Sequence, residues 1–434
     1  PARAGSRPRD GDVVNRRAGA RLAALLAVAL LLAGCGPAAP EPDRTPSAGD
    51  TAVREADATR LQLPTPFEGA RLVDPGWEVP PQHADGTFLA AAEKDGVLRF
   101  TAVDPHGDVR WRAERPVSCT GFVVTTDARG RAVAVLTDTA PTGSALAGTT
   151  ATAYDLATGE ELWGPVDVPG PHQGPGLVFA RPSTDPMGEP GPRTVLDPTT
   201  GRVAVAEGDR GGDRLIGEHD GTVLLVEGAA LVARDTAGGD ELWRLGLEDH
   251  GWTAGSIQPA TNDPQVAGRA LVETSPTTGA LLDLRDGTVL DDTARDALDD
   301  PVTGTRVTLQ ESGIQARGPE GRPLWSVSTG QDTTLAAVED VLLFVREGDA
   351  VRVHNAVTGE VAQGYPPDGD GRIVVPTRVA GDGATVVQDG RRYLLAAREG
   401  DESGDVAAPH PLRSDGSRKA RRRACSCRRS SVAS

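Results

Sequence analysis

Cysteine and lysine are scarce in this 434-residue chain, and its histidines form no motif. The four cysteines stand at 35, 119, 425 and 427, and the two lysines at 94 and 419. Cys425-Ser426-Cys427 has no second pair and no following histidine, which excludes a zinc site. Cys119 lies alone in an apolar stretch and reads as a small buried hydrophobe. His83, His106, His172, His219, His250, His354 and His410 show no ligand spacing and mostly sit beside Gly, Pro or Asp in turns. There is no nucleophile elbow, Walker loop or dinucleotide fingerprint. Asp368-Gly369-Asp370-Gly371 has the acidity of a calcium loop without the ligand train and terminal Glu of an EF-hand. No catalytic residue, metal or cofactor is expected.

Charge divides the chain. It carries 45 basic and 62 acidic residues. Residues 1–34 hold six Arg and two Asp, and 411–434 hold seven Arg, one Lys and one Asp; the body between them keeps 31 basic against 59 acidic, a net of −28. A field of that sign repels nucleic acid and anionic headgroups, so no nucleic-acid partner is expected for the folded part. The basic run from Arg418 to Arg429 breaks with this composition. It reads as a disordered tail over 401–434, either an arm for an anionic partner or a misread chain end.

The N-terminus predicts a compartment. Arg16, Arg17 and Arg21 precede an apolar run from Leu22 to Ala33, too short for the ~20 residues a spanning helix needs. The run ends Leu32-Ala33-Gly34-Cys35. This order is that of a secretion signal (1–34) closing on a bacterial lipobox, with Cys35 as the lipidated residue holding the protein at the extracytoplasmic face of the membrane. The missing initiator Met places the true start elsewhere. Residues 35–66, rich in Pro, Ala, Thr, Asp and Glu, cannot bury enough surface to offset ordering and predict a disordered tether.

Residues 67–400 are organised by a repeat: Asp or Asn, two residues, a small or polar residue, Gly, and four positions later often Trp. It stands at Asp155 to Gly159 with Trp163, and at Asp235 to Gly239 with Trp243. Weaker copies run Asp197 to Gly201 with Val205, Asp283 to Gly287 with Asp291, and Asn355 to Gly359 with Gln363. Gly107 with Trp111 and Gly321 with Trp325 keep the frame without the leading Asp position. Apolar alternation before the phrase, an Asp that caps its own turn and a Gly that takes positive φ describe a tight hairpin. The motif glycines recur every 34 to 52 residues. That is one four-stranded blade of a β-propeller per copy, with the aromatic filling the gap between blades. These positions are turn chemistry and packing, with no catalytic meaning.

Blade count follows from the ends. Trp77, on a lone strand, sits 34 residues before Trp111, and three strand-like runs (373–379, 384–388, 392–397) follow the last motif. Pairing them makes one blade from both termini, giving eight blades; seven result if a repeat around Asp291 or Gln363 is an insertion.

Ala153-Tyr154-Asp155-Leu156-Ala157-Thr158-Gly159-Glu160-Glu161-Leu162-Trp163 resembles the repeat of the pyrroloquinoline-quinone-like (quinoprotein-like) β-propeller superfamily. The resemblance implies an all-β propeller, and the scarcity of lysine fits a high-GC bacterium. It leaves function open among quinoprotein dehydrogenases, envelope lipoproteins that scaffold outer-membrane barrel assembly, and extracytoplasmic domains of other roles. The dehydrogenases imply a cofactor on the propeller axis between a Trp floor and a disulfide of adjacent cysteines, with Ca²⁺ held by Glu and Asn. This chain has no adjacent cysteine pair, very few Asn and a short body. The expectation is therefore a monomeric, non-catalytic module that binds an envelope protein or a glycan, with a quinone- or metal-dependent oxidoreductase as the alternative.

Overall fold

The computed structural model describes residues 41–48, 53–119, 121–140, 148–183, 191–208, 212–260, 268–380 and 383–397. Cys35 with the leader, and the tail with Lys419, Cys425 and Cys427, lie outside the described residues.

Hairpin after hairpin, the described chain pairs antiparallel into eight sheets. They occupy residues 82–116, 122–168, 178–206, 214–246, 258–291, 296–327 and 333–355, and lastly 375–397 joined by Arg71–Trp77. The result is an eight-bladed β-propeller, numbered here as blades 1 to 8 in that order. First strands of successive blades lie against one another, 82–84 beside 122–126 and 333–339 beside 375–379. They therefore ring the axis, and the fourth strands form the outer rim. Blade 8 is the closure expected from the termini: Val375–Val379, Thr385–Asp389 and Arg392–Ala397 come from the C-terminal side, and Arg71–Trp77 is its fourth strand. The repeats at Asp291 and Gln363 are genuine blades rather than insertions.

Two blades are reduced. Blade 3 keeps only the bridge from His172 to Phe179 in place of a first strand, and blade 7 only the bridge from His354 to Val361 in place of a fourth.

The middle strands explain the dense Val, Leu and Ala. In blade 4, Val223, Leu225 and Val232 pack towards blade 3 with Val178 and Val195. Leu224, Val226, Leu231 and Ala233 pack towards blade 5 with Ala270, Val272 and Leu282. A strand buried on both faces reads as a continuous apolar run. Several hairpins turn on Asp-Gly pairs with both residues at positive φ, such as Asp85 (45°) and Gly86 (71°), or Asp220 (48°) and Gly221 (80°). This is the chemistry of the tightest hairpin turn.

The expected tether is in part folded. Ser47–Ala48 adds a fifth strand to blade 1, pairing with Arg112 and Trp111. Arg54–Glu55 adds a fifth to blade 8, and Leu61–Gln62 pairs parallel with Arg372–Ile373. Residues 41–48 and 53–66 thus lie on the two blades that meet at the ring's closure. Composition missed this because an edge strand is held by backbone hydrogen bonds and needs little apolar side chain.

Candidate functional site

The repeat residues assemble into seams between blades, and the sense of each seam was not legible from one repeat. Asp155 Oδ1 accepts hydrogen bonds from the N–H groups of Ala157 (3.1 Å) and Thr158 (3.0 Å), while Gly159 N–H donates to Asp155 O (2.8 Å). Asp197 accepts from Thr199 N–H (3.1 Å) and the Thr200 hydroxyl (2.7 Å), and Asp235 from Gly238 N–H (2.7 Å). These turns join the third and fourth strands of blades 2, 3 and 4. An unforeseen copy, Asp300 to Gly304, makes the same turn between the first two strands of blade 6.

Each motif tryptophan docks on the motif glycine of the next blade, not of its own. The indole N–H of Trp111 donates to Leu156 O (2.7 Å), Trp163 to Pro198 O (2.8 Å), Trp243 to Leu284 O (2.7 Å) and Trp325 to Ala356 O (2.7 Å). A Cβ on Gly159 would lie 2.8 Å from Trp111 Cγ; on Gly201 or Gly287 it would lie 2.4 or 2.6 Å from the Trp163 or Trp243 ring, and on Gly359 2.6 Å from Trp325. The glycine therefore serves twice, supplying positive φ and a flat floor for an indole. Where the preceding blade lacks Trp, the glycine is open: Gly239, preceded by Val205, and Gly321, preceded by Asp291, would set a Cβ against nothing within 4 Å. Trp77 does not occupy this slot in blade 8. Val73 faces Gly107 instead, and Trp77 lies four residues further on, donating to Thr101 O (3.0 Å). Trp77, Trp111 and Trp243 are buried, whereas Trp163 and Trp325 are half-buried.

Asp291 stands where blade 5 would carry its tryptophan. Its carboxylate accepts from Thr293 N–H and the Thr293 hydroxyl (both 2.9 Å), and across the seam from the Thr308 hydroxyl (2.9 Å) and Gln310 Nε2 (2.8 Å). A polar network thus replaces the indole between blades 5 and 6.

Around the axis, side chains that ordinarily do chemistry are spent on joining blades. Gln82 of blade 1 donates to Phe122 O (3.2 Å) and accepts from Val124 N–H (2.7 Å) of blade 2. Glu218 of blade 4, wholly buried, accepts from Leu177 N–H of blade 3 (2.9 Å), Gly221 N–H (2.7 Å) and the Thr125 hydroxyl of blade 2 (3.3 Å). Burial pushes its carboxyl up to about 7 against the opposing pull of those N–H donors. A Cβ on Gly176 would meet Glu218 O at 2.1 Å, so only glycine fits there. His83 stacks on Phe88 with ring centres 5.4 Å apart and receives Arg378 Nη1 at 3.4 Å; burial, then Arg378, pulls its imidazole down to about 4. Burial also lowers His172, whose Nε2–H donates to Gly176 O (2.8 Å). Burial raises the Cys119 thiol, which contacts the Thr137 carbonyl (2.9 Å).

Open clefts lie among the surface loops and blade seams. One of about 500 Å³ is lined by Gln62, Glu68, Asp368 and Asp370, and one of about 530 Å³ by His250, Asp291, Gln310 and Arg317. A third, of about 430 Å³, sits between blades 8 and 1. Among the described residues no group of three or more His, Cys, Asp or Glu is placed to hold a metal ion. No described helix is long and apolar enough to cross a membrane.

No protein-family model and no curated protein matches the chain. Among solved structures it is similar to the computationally designed Ika8 protein (13% identity, TM-score 0.40, 79% of this chain and 98% of that one). It is also similar to apo AztD from Citrobacter koseri (15% identity, TM-score 0.38, 67% of this chain and 86% of that one). The propeller assignment rests on the chain's own strand pairing.

Proposed function

We propose that this propeller is a non-catalytic binding or scaffolding module of the bacterial cell envelope, a lipoprotein of the pyrroloquinoline-quinone-like kind anchored through Cys35. The observation that carries the reading is the use made of Glu218, Gln82, His83 and His172. Glu218, Gln82 and His83 are engaged with neighbouring blades, and His172 with the turn of its own blade. What such a ring presents is loop and rim surface for a protein or glycan. The folded N-terminal segment supports close attachment: Cys35 stands six positions before Glu41, with five residues between them, an extended reach of about 20 Å.

Metabolic labelling with a clickable fatty acid should mark the wild type and lose the mark in Cys35→Ala. Equal labelling of both would defeat the anchor. Cross-linking in cells followed by mass spectrometry is expected to recover an envelope component, and its absence would count against the scaffold. A quinone absorbance and dye reduction after adding pyrroloquinoline quinone and Ca²⁺ to the purified protein would instead favour the oxidoreductase alternative.

A further inference from the structure

Blade 7 ends one strand short of its neighbours. Its third strand, Ala350–Asn355, is the outermost of its sheet, whereas blades 6 and 8 carry the fourth strands Pro323–Val327 and Arg71–Trp77. Residues 360–362 begin a fourth strand and then depart. Ala362 N–H donates to Val353 O (2.9 Å) and Asn355 N–H to Glu360 O (2.8 Å), after which the chain leaves the edge and Tyr365 packs on Phe344 of the second strand. Those two bonds show that residues 353 and 355 turn their backbone groups outward, and the period of two adds Val351. Among the described residues nothing pairs on that side with the N–H and C=O of Val351 or with the N–H of Val353. Exposure agrees. Ala350 and Arg352 are exposed and Val361 is 68% exposed, whereas the first four residues of the equivalent blade 4 strand, Ala230–Asp235, are buried.

The same chain shows what its outer edges accept. Ser47–Ala48 pairs with the fourth strand of blade 1, and Arg54–Glu55 with that of blade 8, so short extended segments already add themselves to two blades. The edge of blade 7 lies one strand further in than those. A segment added there would run beside the fourth strand of blade 6, whose Trp325 reaches over to Ala356 O, and would bury side chains as well as pair its backbone. Val351 and Ala362 flank the apolar cluster of Phe344, Val353, Tyr365 and Val375 and offer a ledge to every second side chain. The charge around the edge is acidic. Asp332, whose carbonyl accepts from Gly348 N–H (3.3 Å), Asp349 and Glu360 make no ion pair among the described residues, while Arg352 is held by Glu347 (2.9 Å).

We propose that the outer edge of blade 7, at Val351 and Val353, receives an extended segment of a partner protein as its fourth strand. The segment is apolar or β-branched where it lies level with Val351 and basic at the residues between. Main-chain hydrogen bonds supply the affinity of such strand addition, and the alternating side chains its specificity. The proposal rests on the reading of the propeller as a binding module, which it deepens by naming the partner's conformation and charge, and it does not depend on the lipid anchor. An unpaired edge otherwise invites indiscriminate pairing, which the uncompensated acids at 332, 349 and 360 restrict to basic segments.

The test uses the purified full chain carrying Cys35→Ser, so that no acyl chain contributes, compared with the same chain also carrying Val351→Pro. Proline there removes an outward N–H, leaves the inward pairing of Ala350 and Arg352 with the second strand, and is tolerated on an edge. The probe is a fluorescein-labelled, end-capped peptide with the sequence of Val109–Arg115, itself a fourth strand of this propeller and rich in arginine. Its twin carries N-methyl groups on alternate amides and cannot pair. Anisotropy should show binding of the parent peptide, weakened at least about tenfold by Val351→Pro and by N-methylation, as the loss of backbone hydrogen bonds requires. Should the proline variant fail to fold, amide exchange of the Cys35→Ser chain over residues 348–355 replaces it, and the parent peptide should slow that exchange where its twin does not. No binding up to about 1 mM, a limit near the weakest specific affinities, or binding that proline and N-methylation leave unchanged, overturns the proposal. So does a dimer in sedimentation that Val351→Pro dissolves, which would make a second copy the occupant. Failure here would leave standing any envelope component recovered by cross-linking, so the binding-module reading is judged separately.

Discussion

Replacing Trp111 by Ala is expected to cost about 3–5 kcal/mol of folding stability, measured as the shift in the urea midpoint at constant slope. Trp111 is wholly buried between blades 1 and 2, packs against Gly159 and gives its N–H to Leu156 O. Truncation opens a cavity at the seam and leaves that carbonyl unpaired. Trp163→Ala, at a half-buried site, should cost less. The glycines supply the complementary experiment. Gly287 and Gly239 have nearly the same φ, 75° and 72°, but only Gly287 lies beneath an indole. Alanine at either position carries the strain of positive φ. Alanine at 287 must also displace Trp243, so it should be more destabilising than alanine at 239 by about 1–3 kcal/mol, the range for overpacking. Equal losses at the two glycines would mean that the indole does not dock across blades.

Glu218→Gln should change the pH dependence of stability more than any exposed carboxyl would. Folding raises the Glu218 carboxyl from 4.5 to about 7, so the folded state holds its proton more tightly than the unfolded chain. The stability lent by this group is present below about pH 4.5 and is lost as the pH rises to about 7. Across that window the free energy at stake is about 3 kcal/mol. Glutamine does not titrate. The variant should therefore gain on the wild type by about that amount between pH 4.5 and 8, whatever constant penalty it carries for one mismatched N–H donor. His83 runs the other way. Its imidazole is lowered from 6.5 to about 4, so its contribution is present above 6.5 and is lost as the pH falls to about 4. The two slopes oppose each other between pH 4.5 and 6.5, and the Glu218→Gln profile should rise towards neutrality more steeply than that of the wild type. Melting curves of both proteins at half-unit pH steps decide this; a difference between them that stays constant from pH 5 to pH 8 would show that folding does not raise the Glu218 carboxyl.

Local chemistry explains which features were legible in the sequence. The Asp-to-Gly turn is closed within five residues, so Asp155, Asp197 and Asp235 betray it by spacing alone, and its recurrence dictates a ring of similar sheets. The count of eight followed from chain ends that carried strands but no complete blade, a deficit that only mutual pairing can satisfy. Asp300 escaped notice because its turn joins a different pair of strands and so falls outside the repeat's frame.

The sequence by itself determined the turns, the blade period, the propeller class and the scarcity of motif-borne chemistry, because each depends on residues close along the chain. The tertiary structure decided which blade each tryptophan serves, that Val73 rather than Trp77 faces Gly107, and that residues 41–48 and 53–66 fold onto the closing blades. It also brought Thr125, Leu177 and Glu218 together across three blades. Contacts between residues tens to hundreds of positions apart depend on ring closure and strand register, and neither is written in any single repeat.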